Sequence, residues 1–550
     1  MKSPLFSKGV CGLRCSFLLF AAAISVPAHA DTFVVSNTAD AGAGSLRRAI
    51  QDANAKQATG STACAPHTIA FNIPGTGPHS IRPLSLLPRF NIPIILDGYS
   101  QPGASQNTLP RGSNAVIAIE LDGSLAGPGD AIVIGASIPG SLLCGAGGSV
   151  ILGLAINRFA GAAISMGEEV CPVNAFCPVG GVRIWGNYIG TDVTGTIALG
   201  NGTGTGRPAL LFGRGSSYNI VGDQVLVDGG PTDPLAQTRN VISGNAADAI
   251  FIGSPSASAL SEQHRIRNNY IGLDANGTAA LPNGGRGITI GLNGSVISIH
   301  DNLISANGGD GVAVFDSPFH GTALQGNGIG IGVGAQALGN GGNGILVAGS
   351  STGVSVSGHF RFTPVAANIA NNGGAGLFVA DMTLVDAVAV SIAGNAGLAI
   401  DLAPLGVNSN DAGDGDSGPN ELLNFPIIES ALFDSSTLAT TITGKLHAVP
   451  NSGYEIDFYL NDICDPSGFG GAQTYFPLSP PPSGVHVTTD GLGNASFTRQ
   501  TAGLQPGRLL TALTRGLANT PVPQPFIVSE FSGCRRIVAS GDLIFLNGFE

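Results

Sequence analysis

Between about residue 60 and residue 405 the chain is written in short apolar runs such as "HTIAFNI", "IPIILDG", "SVILGLAI", "GVRIWGNYIG", "GITIG" and "GILVAG", separated by Gly and Asn. Runs this short, rich in Val and Ile and bounded by turn residues, predict parallel strands rather than helices. Phrases also recur. "NYIGTDVTGTIALGNG" from Asn187 returns as "NYIGLDANGTAALPNG" from Asn269 and, worn, as "NGIGIGVGAQALGNG" from Asn327. "NVISGN" at Asn240 returns as "NLISAN" at Asn302 and more loosely as "NIANN" at Asn368. Repetition at this range marks stacked units that share one core. The second set of intervals, 62 and 66 residues, divided by three gives rungs of 21 to 22 residues, with the repeat on every third rung of a three-strand coil.

Two flanking stretches have other periods. In "TFVVSNTADAGAGSLRRAIQDANA" a short strand leads to a helix that Ser45 can cap, with Leu46, Ala49, Ile50 and Ala53 on one face, a lid for the first apolar layer. From about 425 to 536, "TTITGKL", "YEIDFYLN", "VHVTTDG" and "NASFTRQ" alternate apolar and polar residues, as antiparallel strands with one wet face do. The expected division is a signal over 1–30, the coil with its cap over 31–424, a small sandwich over 425–536 and a tail over 537–550.

Composition agrees with many short strands and tight turns: 83 Gly, 43% hydrophobic and only 11% charged residues. The one long apolar run, "SFLLFAAAISVP", follows Lys2, Lys8 and Arg14 and precedes Ala28-His29-Ala30, the layout of an export signal. A secreted or cell-surface location is therefore expected, with no membrane span in the mature chain. Losing three basic residues takes the net charge from −12 to about −15, which argues against nucleic acid and anionic membrane as partners.

Six cysteines remain beyond the signal. Cys171 and Cys177 are close enough to close a small loop, Cys464 and Cys534 lie together in the later segment, and Cys64 and Cys144 are left over. Zinc is the competing use of these residues, without a closely spaced Cys/His quartet to support it. Asp411, Asp414, Asp416, Asn420 and Glu421 in a Gly-rich loop offer oxygen ligands to Ca²⁺, although a solvated linker turn would contain the same residues and the spacing is not that of an EF-hand. His264, Arg265 and Arg267 with His300, Asp301, Asp310, Asp316 and His320 fall within a few rungs, so some could share one face as a carbohydrate cleft or could be turn residues facing solvent. Trp185, Tyr188 and Tyr270 could stack on sugar rings or pack within turns.

Taken together, "TFVVSNTADAGAGSLRRAIQDANA", "IAFNIPGTGPHSI", "IILDGYSQPGA", "NYIGTDVTGTIALGNG" and "NVISGN" resemble the secreted right-handed parallel β-helix proteins of Gram-negative bacteria, in the pectin-lyase-like superfold. "CDPSGFGGAQTYF" with "SEFSGC" is similar to the β-sandwich module that follows such helices, although Gly471 stands where relatives carry an acidic residue. "IFLNGFE" resembles a tail of exported proteins from such bacteria. The resemblance implies an all-β chain: a right-handed parallel β-helix with a short N-terminal capping helix, then a small antiparallel, Ig-like sandwich. It implies either a surface or glycan-binding scaffold or a polysaccharide lyase or glycoside hydrolase, since the superfold hosts both. The Asp-Asp, Gly-His-Gly and Arg-x-Lys runs of polygalacturonases are missing; Arg265-Ile266-Arg267 and Gly358-His359-Phe360 are the nearest fragments and do not fit. The expectation is an exported, monomeric interaction scaffold for a polysaccharide or surface glycan, with catalysis second.

Overall fold

The computed structural model describes residues 30–56, 65–135, 145–167, 179–223, 235–253, 260–317, 321–351, 353–358, 368–478, 484–518 and 526–541. The export signal, His320, Cys64, Cys144, Cys171, Cys177 and the terminal "IFLNGFE" (except for its boundary residues) lie outside them.

Three long parallel sheets wind around one core. The first contains eleven strands, from Thr32–Val35 to Val385–Val388; the second ten, from His79–Ile81 to Ile392–Ala393; the third nine, from Ile132–Ile134 to Ile400–Leu402. Every pairing within them is parallel and joins one rung to the next, which defines a parallel β-helix. Inward residues stack in register. In the second sheet Ile156, Ile189, Ile242, Ile271, Ile304, Ile329, Ile369 and Ile392 form a single column, each no more than 1% exposed. Burying one such side chain stabilises by about 1.5–3 kcal/mol as an upper figure, and identical β-branched side chains stack without rotamer conflict. The Ile of each NYIG and NVIS phrase is thus a column member.

The rung length differs from the sequence expectation. Arg265 pairs with Ser298, and Ser298 with Ala323, so these rungs are 33 and 25 residues long, and the longest, from Ile95 to Val150, is 55. Ile242, Ile271 and Ile304 are successive, so the NVISGN repeat recurs on every second rung, not every third. In the third copy Asn368 aligns with Leu303, and Asn372 with Asn307. The cause lies outside the core. Each NYIG phrase leads into a small hairpin closed by an isolated bridge, Thr191 with Ala198, Leu273 with Ala280 and Ile331 with Ala337. These hairpins bond directly to one another across the intervening rung, Ala275 N–H to Gly195 O at 2.9 Å and Val333 N–H to Gly277 O at 2.8 Å. A hairpin two rungs tall, about 10 Å at about 4.8 Å per rung, fits only on alternate rungs.

Two buried Asn ladders pin the turns. One runs Asn187, Asn240, Asn269, Asn302, Asn327; the other Asn201, Asn245, Asn283, Asn307, Asn340, Asn372, Asn395. At most steps the Oδ1 of one Asn accepts both the backbone N–H and the Nδ2 of the preceding Asn, as Asn302 does for Asn269 at 3.0 Å each. Such sharing satisfies backbone donors that a buried turn would otherwise orphan.

Both ends of the column are closed. Helix Leu46–Ala55, capped by the Ser45 hydroxyl accepting from Arg48 N, buries Leu46, Ala49, Ile50 and Ala53 against the first rung. At the other end sits a two-sheet sandwich. One sheet orders Asn494–Ala502, Ala439–His447, Ile427–Asp434 and Val538–Ala539; the other centres on Gly453–Asn461 and Leu509–Leu517. Its Tyr459, Leu513, Val528 and Phe531 belong to the same contiguous apolar cluster as Ile400 and Leu402 of the last rung. Cys464 and Cys534 form a disulfide that ties the loop after Gly453–Asn461 to the segment after Phe526–Val528.

Candidate functional site

The residues singled out between 260 and 320 divide among four places. His264 is interior: 1% exposed, with Nε2 3.0 Å from Ser261 Oγ, Nδ1 accepting from Asn219 N–H and its ring 5.1 Å from that of Phe212. Burial pushes its pKa down to about 3, so it is a neutral core hydrogen-bonder and no part of a cleft.

Arg265, Arg267, His300 and Asp301 do converge, at the corner where the first sheet turns into the second. Asn268 and Asp301 take positive φ there (62° and 53°), which short polar side chains tolerate. The corner is organised by Asp223, which sequence reasoning missed. Only 1% exposed, Asp223 faces Arg265 Nη2 at 2.5 Å and Arg267 Nη1 at 3.6 Å, while Arg267 Nε donates to Asp301 Oδ2 at 2.9 Å. Desolvation lowers the His300 pKa, with Asp301 opposing and Arg267 and Arg265 reinforcing. Both carboxylates already face arginines across successive rungs, which is the chemistry of an inter-rung staple.

Asp310 lies on a different face, in an open trough of about 310 Å³ lined by Asp248, Gly284, Gly285, Arg286, Gly308, Gly309, Asp310, Gly341 and Gly342. Its sequence signal is the fourfold phrase N-G-G-x-G, with Arg286, Asp310, Asn343 and Ala375 at x. The Asn of each phrase points inward to its ladder. The two glycines turn outward and must stay bare, because a Cβ on Gly308 or Gly341 would lie 2.4 or 2.3 Å from the carbonyl oxygen of the rung before. The floor is therefore exposed peptide groups. On its wall Arg286 Nε donates to Asp310 Oδ2 at 2.9 Å, its guanidinium lies 5.0 Å from the Phe315 ring centre, and Asp248 accepts from Arg286 N–H (2.8 Å) and Thr289 Oγ1 (2.7 Å). Asp248 and Arg286 were not foreseen; the variable x position was the clue.

Asp316, with φ 48°, accepts from Ser350 N–H and Oγ at the end of a third-sheet strand, away from both places. Tyr188 and Tyr270 are 2% and 4% exposed beneath the loop 98–116, where Tyr270 Oη accepts from Gly112 N–H and Tyr188 Oη lies 2.9 Å from Ser113 Oγ. They are packing groups, not sugar platforms. Trp185 is half-buried, with the Arg183 guanidinium 5.7 Å from its ring centre.

In the acidic loop, oxygens of Asp411, Asp414 and Asp416 lie within 4.8 Å of one another, a set able to hold a divalent cation. Burial, then Asp411, Asp416 and Glu421, push the Asp414 pKa up to about 7. Asn420, expected beside them as a ligand, is instead engaged elsewhere: its Oδ1 accepts from Val385 N–H and its Nδ2 donates to Val385 O and Val528 O. Gly471 has φ 90° and would place a Cβ 2.8 Å from Asn461 Oδ1, so this site suits glycine.

No protein-family model matches the chain, and no curated protein matches it. Among solved structures it is similar to the enzymatically active domain of tailspike protein 2 of bacteriophage CBA120, at 13% identity and TM-score 0.19, covering 85% of this chain and 71% of that one. A second is tailspike protein gp49 of Acinetobacter baumannii bacteriophage Fri1, a capsular polysaccharide depolymerase, at 8% identity and TM-score 0.16, covering 85% and 76%. Likenesses at these scores carry no argument about this chain's function.

Proposed function

We propose that the protein is exported through its N-terminal signal by a Gram-negative bacterium and serves, as a monomer outside the cell, as a scaffold that holds an extended glycan in the N-G-G-x-G trough. The observation that supports this is the trough itself: a concave strip repeated rung by rung, floored by peptide N–H and C=O groups and walled by Asp248, Arg286 and Asp310. A polymer of repeating polar units can meet the same donors and acceptors at each rung, and peptide groups with a few charged side chains are the polar complement that orients a sugar. Binding is favoured over cleavage because the carboxylates Asp223 and Asp301 at the other polar cluster are held by arginines. A hydrolase would need two carboxyl groups facing each other across the scissile bond. The test is retention on a panel of immobilised acidic and neutral polysaccharides. Wild type should be retained by at least one, Arg286→Ala should weaken that retention about tenfold, near 1.4 kcal/mol, and no reducing or unsaturated ends should appear. Wild type passing through every column, or Arg286→Ala binding as well as wild type, would reject the reading.

A further inference from the structure

The seam between the last rung and the sandwich contains carboxyl groups with unusual company. Glu530, 3% exposed, reaches from the sandwich to the helix end, where it accepts from Leu402 N–H (3.0 Å), Asn408 N–H (2.9 Å) and Asn408 Nδ2 (2.9 Å). Asp401, also 3% exposed and on the last strand of the third sheet, accepts from Gly406 N–H in the same loop. The cation of the seam, Arg515, is committed elsewhere: it holds Asp386 through two 2.8 Å bonds, stands 3.6 Å from Glu455 and lies over the Phe526 ring, with Asp457 nearby. Asp401 is thus the charged group that acts on Glu530, and it carries the same sign.

We propose that Glu530 and Asp401 form a proton-held latch, which keeps the sandwich seated on the last rung while the pair retains a proton and loosens that seat when both carboxyls ionise. The geometry supplies the reason. Two like charges cut off from water repel, and the three N–H donors on Glu530 relieve only one of them. Burial raises Glu530 to about 7, with Asp401 adding to the effect, and raises Asp401 to about 6. The sign follows from linkage: carboxyls raised in the folded state contribute stability that is full below their unfolded values near pH 4 and is lost as pH rises through about 6 to 7. The latch is therefore shut in mild acid and slack above neutrality.

The experiment is amide hydrogen exchange of the full-length protein at pH 5.5 and 8.5, corrected for the intrinsic rate, read at Leu402 and Asn408 and compared with core amides such as Ile304. Wild type should lose about tenfold protection at the two seam amides over this range while Ile304 holds. Glu530→Gln, which keeps the shape and an acceptor oxygen but cannot ionise, should remove that loss, and Asp401→Asn should reduce it without altering the Glu530 contacts. Seam protection independent of pH in wild type, or an unchanged pH response in Glu530→Gln or, should that variant misfold, in Asp401→Asn, would overturn the proposal.

Discussion

Asn302 and Gly341 show how far a single side chain is dictated by the rung before and after it. Asn302 Oδ1 accepts two bonds from Asn269, and its own Nδ2 reaches Ile266 O and Asn327 Oδ1. Asn302→Ala leaves buried donors unpaired and should cost about 1–3 kcal/mol, measured by urea unfolding. The same change at exposed Asn371 should stay within about 0.5 kcal/mol. Gly341→Ala drives a methyl to 2.3 Å from Gly308 O and should lower the midpoint despite alanine's smaller unfolded-state entropy. At Asp414 the direction reverses. Because its carboxyl is raised to about 7, ionising it at pH 8 strains the loop, so Asp414→Asn should raise the thermal midpoint at pH 8 and leave it unchanged at pH 4. Added Ca²⁺ that raised the wild-type midpoint at pH 8 would show a cation taking the proton's place beside Asp411 and Asp416.

At the scale of elements, strand identity was legible because each Ile of NYIG and NVIS must enter the column, and helix Leu46–Ala55 was legible because its cap and apolar stripe are local. Rung length was not. Nothing in the spacing of "NVISGN" reveals that hairpins two rungs tall lie between copies, since the Gly195–Ala275 bond joins residues eighty apart. The covering of Tyr188 and Tyr270 was hidden for the same reason: the loop that covers them comes from residues 98–116, and Arg239 fastens it by donating to Gly112 O and Pro110 O with its guanidinium 4.6 Å from the Tyr270 ring. Arg239→Ala should free this loop. Trypsin should then cut after the exposed Arg111 several-fold faster than in wild type, and an unchanged digestion rate would refute the clamp.

For the whole molecule, the cap helix, the solenoid and the sandwich share one buried cluster, so the sandwich closes the column as well as following it. The candidate residues were legible as types but not as a group: a 25- to 55-residue rung moved His264 inside, Asp310 to the trough and Asp301 to the corner, where a 21-residue rung had placed them together. Asp223 and Arg286 became visible only once rung alignment was known. The functional claim is that a polymer lies along the rungs rather than across them, and the most direct measurement is calorimetric titration with a size series of oligosaccharides from a retained polysaccharide. Affinity should climb with each added sugar until the roughly 10 Å of trough spanned by three rungs is filled, then level off, and Arg286→Ala should flatten the climb. A single sugar binding as tightly as a long oligomer, or a climb untouched by Arg286→Ala, would contradict the account.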